Sequence, residues 1–506
     1  MTDRNWEDSF DRELTDLLPE ELPGNLSDAV NPWRLPIMQI IWGLGLTSLK
    51  LHFYNLDTIL PAFGWLLLYL GFRSIRRENG WFSLAWITAL AGLGVTVGMA
   101  ILNSTIWMGT VYSSHSFMQI RNLLFLVQPA MDFFFWMGLC GVRKRAGVKP
   151  GAGAALALLL WHLLILALGL LAPKLDFLVL MLFLLAACVA ILVALSRIPR
   201  TLETAGYGLE TSPVWVSDGL LAAVLTGVTV MGIACGLLFY QRYPMDWTPV
   251  SVRKNPQAEQ VREALLDLGF PELVLQDLKD EEVLAMQGST RVLSNTDVYP
   301  VNEGRMEERV EPDGTKAYGQ VYDKKELRIT GVAVLLPGEQ EQWQIIHHFL
   351  WEEQPKFFGT EAIRIIPADH IPEGWMRKDG LTGRLLCEKN GETMEAPYWF
   401  LGEKEAIHGG FWGDPSTERD LFAAFSFPGS ATRQRGYLSY SVSEVQDGCI
   451  LYSWMDYVHR DSPLLYPNQS AMDHILSGVW DLRHRFPNVT TDIQFYPFYD
   501  KDERFG

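Results

Sequence analysis

Positive charge is scarce in this chain: 42 Lys and Arg stand against 59 Asp and Glu, leaving a net charge of −17. A nucleic-acid partner calls for clustered basic residues. The only clusters are a few short loops, so nucleic acid is excluded. Cysteine is sparse too, five in 506 residues, without Cys-x-x-Cys or metal-type Cys/His spacing. No metal and no cofactor is therefore expected. No P-loop, kinase or cyclase signature is present, and no nucleophile elbow, Ser/His/Asp spacing or glycosidase carboxylate pair can be picked out. The first 34 residues lack both a basic n-region and an apolar h-region, so no cleaved signal peptide is expected and the first apolar segment acts as the insertion signal.

What is present is a series of seven apolar segments: Pro36–Phe53, Leu56–Phe72, Trp81–Leu102, Phe117–Cys140, Ala152–Ala172, Asp176–Leu195 and Asp218–Tyr240. About 20 apolar residues in a helix cross roughly 30 Å of hydrocarbon, so a seven-helix transmembrane domain over 35–240 is predicted. Pro61 lies inside the second segment, where neighbouring helices can satisfy the freed carbonyl. Basic residues collect on alternate loops: Arg73, Arg76 and Arg77, then Arg143, Lys144, Arg145 and Lys149, then Arg197 and Arg200. The positive-inside rule puts these loops in the cytoplasm, with the N-terminus inside and everything beyond Tyr240 outside. Lys50 and Arg121 lie near the outer helix ends, where they can snorkel. Trp33, Trp81, Trp107 and Trp247 sit near span ends, as interfacial anchors do. The expected location is the cell membrane, with the bilayer as the first partner. The net charge divides into −6 over residues 1–34, +5 over 35–240 and −16 beyond.

The tail over 1–34 carries Trp6, Phe10, Leu14, Leu17 and Leu18 at helical spacing, with acidic residues between them. A short amphipathic helix of this charge is repelled by anionic lipid and prefers protein. It suits either the protein's own basic loops or a cytoplasmic protein docking at residues 1–30.

Two ionisable residues fall at membrane depth. Asp132 is mid-way along span four and His162 mid-way along span five, at similar distances from the loop near Gly147. A charge at bilayer centre costs about 2.5–3.5 kcal/mol on insertion scales and normally faces a partner. The pair reads as an interhelical hydrogen bond that fixes packing, or as a proton relay. The Gly92, Gly94 and Gly98 face of span three suits close helix packing.

Beyond Tyr240 the composition changes. A short helical collar is predicted over 250–290, with Pro271 and Asp280 as starters and Gly269 as a stop. Over 291–506 strand-like runs alternate with turn signals, and one late helix is expected over Ala471–Phe486. The predicted fold is an extracytoplasmic α+β domain, an antiparallel sandwich or a twisted sheet carrying one helix. His347 and His348 invite a metal reading, but adjacent strand residues point to opposite faces. The Gly-rich loop with Phe411 and Trp412 is the best aromatic candidate for a binding tip. Arg433 and Arg435, in a loop before a strand, suit carboxylate or phosphate capture. Cys387 and Cys449 either pair, contributing about 4 kcal/mol by chain entropy, or stay as buried thiols.

Three functional readings follow. The first is a non-enzymatic sensor or regulator that couples an unknown extracytoplasmic ligand to a cytoplasmic partner. The second is a transporter or membrane-complex subunit using Asp132 and His162. The third is a tethered carbohydrate-binding module or enzyme resting on the aromatic loop. The first is preferred, on architecture alone.

Overall fold

A computed structural model describes residues 32–48, 56–149, 152–171, 178–209, 215–251, 255–302, 304–310, 316–322, 324–370, 374–408, 416–446, 448–477 and 485–497. The acidic tail and the Phe411–Trp412 tip lie outside these residues. The chain forms two compact units: one of Met1–Asn103 with Thr110–Ala234, the other of Ser104–Gly109 with Cys235–Gly506.

The first unit is helical. Its helices, together with two short ones, are α1 (Arg34–Ser48), α2 (Leu56–Ile75), α3 (Gly80–Leu102), α4 (Met108–Ser113), α5 (His115–Leu124), α6 (Val127–Arg145), α7 (Gly153–Leu171), α8 (Leu178–Leu195), α9 (Ile198–Thr204) and α10 (Asp218–Phe239). Five helical stretches among the described residues are long and apolar enough to cross a bilayer: Thr58–Ile75, Gly80–Leu102, His115–Arg145, Leu180–Thr204 and Asp218–Phe239. Gly153–Gly169 within α7 is apolar but shorter, and α1 has 15 residues. Helices of this composition belong to a membrane-embedded protein. Phe183, Met231 and Leu238 are largely exposed, as lipid-facing side chains are.

The expected span Phe117–Cys140 is two helices, with Phe125 and Leu126 between α5 and α6. Pro129 supplies the reason. In one continuous helix its ring would strike the carbonyl of Phe125. In the first turn of α6 its missing N–H leaves no bond unmade.

Close helix packing also differs from expectation. Around Gly94 and Gly98 an added Cβ would meet nothing within 4 Å, whereas at Gly92 it would strike the ring of Trp65. A close backbone approach joins α1 to α2, where a Cβ on Gly43 would lie 2.7 Å from the Gly64 carbonyl and one on Gly71 2.8 Å from that of Pro36. Small residues let two backbones approach so closely. One end of the bundle is polar. Arg73 donates to Asp218 at 2.8 Å and to the Val216 carbonyl at 2.6 Å. Arg145 donates to the Glu78 carbonyl at 2.6 Å, and Tyr207 to the Glu78 carboxylate at 3.2 Å. These bonds gather the ends of α2 and α6 with the starts of α3 and α10.

The second unit is mostly sheet. Its strands are β1 (Thr248–Pro249), β2 (Arg291–Tyr299), β3 (Arg305–Val310), β4 (Lys316–Val321), β5 (Leu327–Leu335), β6 (Gln342–Trp351), β7 (Glu361–Ile366), β8 (Trp375–Lys389), β9 (Glu392–Ala396), β10 (Phe400–His408), β11 (Ser416–Phe425), β12 (Thr432–Glu444), β13 (Leu451–Val458) and β14 (Asn488–Phe495). They form a seven-stranded sheet, β1-β9-β8-β12-β6-β5-β2, a five-stranded sheet, β10-β11-β7-β13-β14, and the β3-β4 hairpin. Neighbours pair antiparallel throughout. Trp343, Ile345, Phe349 and Trp351 of β6 share one buried cluster with Ile363 and Ile365 of β7, Phe425 of β11 and Tyr457 of β13. The two sheets therefore meet face to face, and the strand period of two supplies the alternation.

Both outer faces are covered. Helices α11 (Pro256–Asp267), α12 (Glu272–Asp277) and α13 (Asp280–Ala285) pack Val261, Leu275 and Val283 on Val332, Val334 and Ile346 of the larger sheet. The helical section is thus a cap on the sheet. Helix α14 (Ala471–Ser477) lays Ala471 and Met472 on Ala362, Phe422 and Val458 of the smaller one. The segment Ser104–Gly109 is fastened here too. Asn468 donates to the Ser104 carbonyl at 3.1 Å, and Trp107 packs edge-on against Trp399 at 5.7 Å.

Candidate functional site

Helices α6 and α7 bring Asp132 and His162 together. His162 Nδ1 lies 2.6 Å from Asp132 Oδ2, and Asp132 is fully buried. Gln128 Nε2, one helical turn before Asp132, donates to its Oδ1 at 3.4 Å. On the other side of the ring, His162 Nε2 lies 3.2 Å from Ser48 Oγ of α1. The Ser48 hydroxyl sends its single proton to the Leu44 carbonyl at 2.7 Å, so towards His162 it accepts. Imidazolium with carboxylate, or imidazole with carboxylic acid, both leave the pair neutral overall. That neutrality is what makes it bearable at membrane depth. On the same three helices Met131, Phe135, Leu44 and Leu158 belong to the buried apolar cluster of the bundle.

The sheet unit handles its sequence candidates differently. Arg435 does not stand in an exposed loop. It belongs to β12 and is buried, and its Nε donates to both oxygens of Asp277, at 3.0 and 2.9 Å. Burial pushes the Asp277 carboxyl up, but the His348 hydrogen bond and charge, with Arg435, outweigh it and hold the group below its ordinary 3.8. Arg384 adds two donations to the Asp277 carbonyl, at 3.0 and 2.8 Å. This knot pins α12 to the sheet, so the basic pair is not a capture loop. Arg433, at φ 49°, meets Glu388 at 3.3 Å on the surface.

The two histidines do point apart. His348 Nε2 meets Asp277 Oδ2 at 2.9 Å on the helical side. His347 Nε2 meets Ser453 Oγ at 2.9 Å between the sheets, where burial depresses its basicity to about 3. Among the described residues no group of three or more His, Cys, Asp or Glu is placed to hold a metal. Cys387 and Cys449 do not bond: both are free thiols, the first in β8 and the second just before β13, on different sheets. Burial pushes the Cys387 thiol up to about 11.

One cleft was not anticipated. It measures about 750 Å³ and is lined by Asp369, Arg377, Lys378, Leu381, Leu401 and Glu403, among others. A β-bulge opens it. Along β8 and β12, Lys378 faces Ser441 and Thr382 faces Ser439, so residues 379–381 stand opposite Tyr440 alone. Gly380 takes φ +117°, a conformation that other residues rarely adopt. Such bulges re-aim the side chains beside them. Arg377 Nε lies 3.6 Å from Asp369 Oδ2, and its Nη2 lies 3.3 Å from Glu403 Oε1. Both distances exceed the 2.7–2.9 Å or so of a tight charge-assisted bond. Arg377 Nη1 and Asp369 Oδ1 are buried and have no hydrogen-bond partner. Burial raises the Asp369 carboxyl above its ordinary 3.8, with Arg377 opposing. Trp375 and Tyr440 line the cleft with their polar atoms already engaged, on the Ile450 carbonyl and Ser453 respectively.

Compared with protein families and with curated proteins, the sequence matches none.

Proposed function

We propose that this is a multi-pass protein of the cell membrane, a non-enzymatic sensor or regulator whose sheet unit receives a ligand outside and whose cytoplasmic tail meets a protein partner. The observation that carries the reading is the cleft beside the β8 bulge. It is of the size that small ligands occupy, and Arg377, Lys378, Asp369 and Glu403 line it beside Leu381 and Leu401.

Orientation has separate support. The bonds of Arg73 and Arg145 collect the Arg73–Arg77 and Arg143–Arg145 clusters at one end of the bundle. Basic residues stay in the cytoplasm. Counting α1 and α7 with the five long stretches makes seven crossings, an odd number, so a chain that starts inside finishes outside. The transport reading rests on Asp132 and His162, and their direct contact across two helices favours a clasp between helices instead.

A topology reporter fused just beyond Met245 tests sidedness and is expected to be active outside. Deleting residues 1–30 is expected to abolish the regulatory output while leaving ligand binding intact. A reporter facing the cytosol sinks the reading.

A further inference from the structure

Helix α10 has 22 residues. At about 1.5 Å per residue it covers roughly the 30 Å of a bilayer's hydrocarbon. Its last residues therefore reach the edge of that layer, where Leu238, Phe239 and Tyr240 are exposed. Two aromatic residues are held near this edge. The Ile106 N–H donates to the Tyr240 carbonyl at 3.1 Å, which sets Trp107 beside the helix end. Tyr243 follows Phe239 within about 14 Å of extended chain. A third ring arrives from far along the sequence. Trp399 stacks on Tyr243 at 5.7 Å and 11°, and it meets Trp107 edge-on at 5.7 Å.

Trp399 is 45% exposed. Its indole N–H donates to no group among the described residues. Those of Trp343, Trp351 and Trp375 all donate within the sheet unit. An exposed ring with a free N–H suits the layer between hydrocarbon and water, where one end of the side chain is apolar and the other wet.

We propose that the sheet unit touches the bilayer surface through Trp399, backed by Tyr243 and Trp107, and that the glycerol and headgroup layer of a phospholipid is the partner of this patch. The patch adjoins Leu238, Phe239 and Tyr240, which a spanning helix already brings to the membrane. The ring lies against the acyl-chain boundary, and the indole N–H donates to an ester or phosphate oxygen. Neither contact needs a net charge on the lipid, so zwitterionic phosphatidylcholine is the probe. The contact is independent of the sensor reading and of which side of the membrane the unit occupies.

The test uses the full chain in phosphatidylcholine nanodiscs doped with a phosphatidylcholine that carries a diazirine high on one acyl chain. After irradiation, lipid adducts are mapped by mass spectrometry. Adducts are expected over 238–243 and over 396–404. Trp454 serves as the comparison, being an exposed aromatic at 39%. Strand pairing sets Phe400, Ala424, Ala362 and Val458 level across the smaller sheet, and Trp454 stands about 13 Å further along β13. It is expected to carry no adduct. Trp399→Ala is expected to lose the adducts over 396–404 and keep those over 238–243. Trp399→Phe keeps an apolar ring and is expected to retain most of them, which separates loss of the contact from loss of the fold. Bare residues over 396–404 overturn the inference, whatever else is labelled. Labelling at Trp454 equal to that at Trp399, or adducts over 396–404 unchanged in Trp399→Ala, also overturns it.

Discussion

Arg435 holds Asp277 through one nitrogen shared between both carboxylate oxygens, at 3.0 and 2.9 Å, while His348 takes one of those oxygens at 2.9 Å from the far side. Asp277 and Arg435 stand 158 residues apart in sequence. Asp277 closes helix α12 and Arg435 sits in the central strand β12, so their bond ties the helical cap to the sheet.

Removing Asp277 strands a buried guanidinium and a buried imidazole. Breaking a buried pair from one side costs about 3–5 kcal/mol, so Asp277→Ala is expected to lower the stability of the sheet unit by that order in denaturant unfolding. The pH dependence follows from the depressed carboxyl. The unfolded chain takes up this proton near 3.8, and the folded chain only below that. The contribution of Asp277 is therefore complete above about pH 4 and is lost as pH falls through the folded-state value, at up to about 1.4 kcal/mol per pH unit. Asp277→Asn is expected to flatten acid unfolding below pH 4. An unchanged acid limb would remove Asp277 from the account.

Gly331 of β5 faces Ile493 of β14, and an added Cβ on Gly331 would collide with the Ile493 side chain. Overpacking of this kind costs about 1–3 kcal/mol. Gly331→Ala is expected to destabilise by that amount, and Ile493→Val in the same chain to recover part of it. Thermal melts of the single and double variants decide the point. Additive losses would show that the contact is not the cause.

Asp132 and His162 are expected to behave as a clasp. Intramembrane polar pairs couple by about 0.6 kcal/mol on average and about 1.7 at most. A double-mutant cycle with Asp132→Ala and His162→Ala, read by unfolding in micelles, is expected to fall within that range. Asp132→Asn is expected to leave expression and phenotype unchanged. Loss of phenotype without loss of stability would revive a proton-relay role.

The apolar segments were readable because burying or exposing twenty apolar residues is a local matter of composition. Six of the seven predicted segments match a single helix in place. The fourth breaks where Pro129 forbids continuity, which Pro61 in α2 does not do. Strands β5 and β6 were readable as short apolar runs, and both are buried along nearly their whole length rather than alternating. At β8 the strand runs over Trp375–Lys389, and the turn-like Asp379–Gly380 is a bulge within it. The turn Asn390–Gly391, with both residues at positive φ, then joins β8 to β9, which is the hairpin chemistry that Asn-Gly favours.

By itself, the chain's order of residues decided what each segment could become: which stretches are apolar enough for a bilayer, which alternate as strands, and that Asp132 and His162 fall at one depth. Folding in three dimensions decided everything that depends on partners far apart in sequence. It put Arg435 on Asp277 rather than in solvent, left Cys387 and Cys449 as separate thiols, and drew Asp369, Arg377 and Glu403 to one cleft. The physical reason is that hydrophobic periodicity is a property of neighbours, whereas an ion pair or a cleft depends on which strands the sandwich sets side by side.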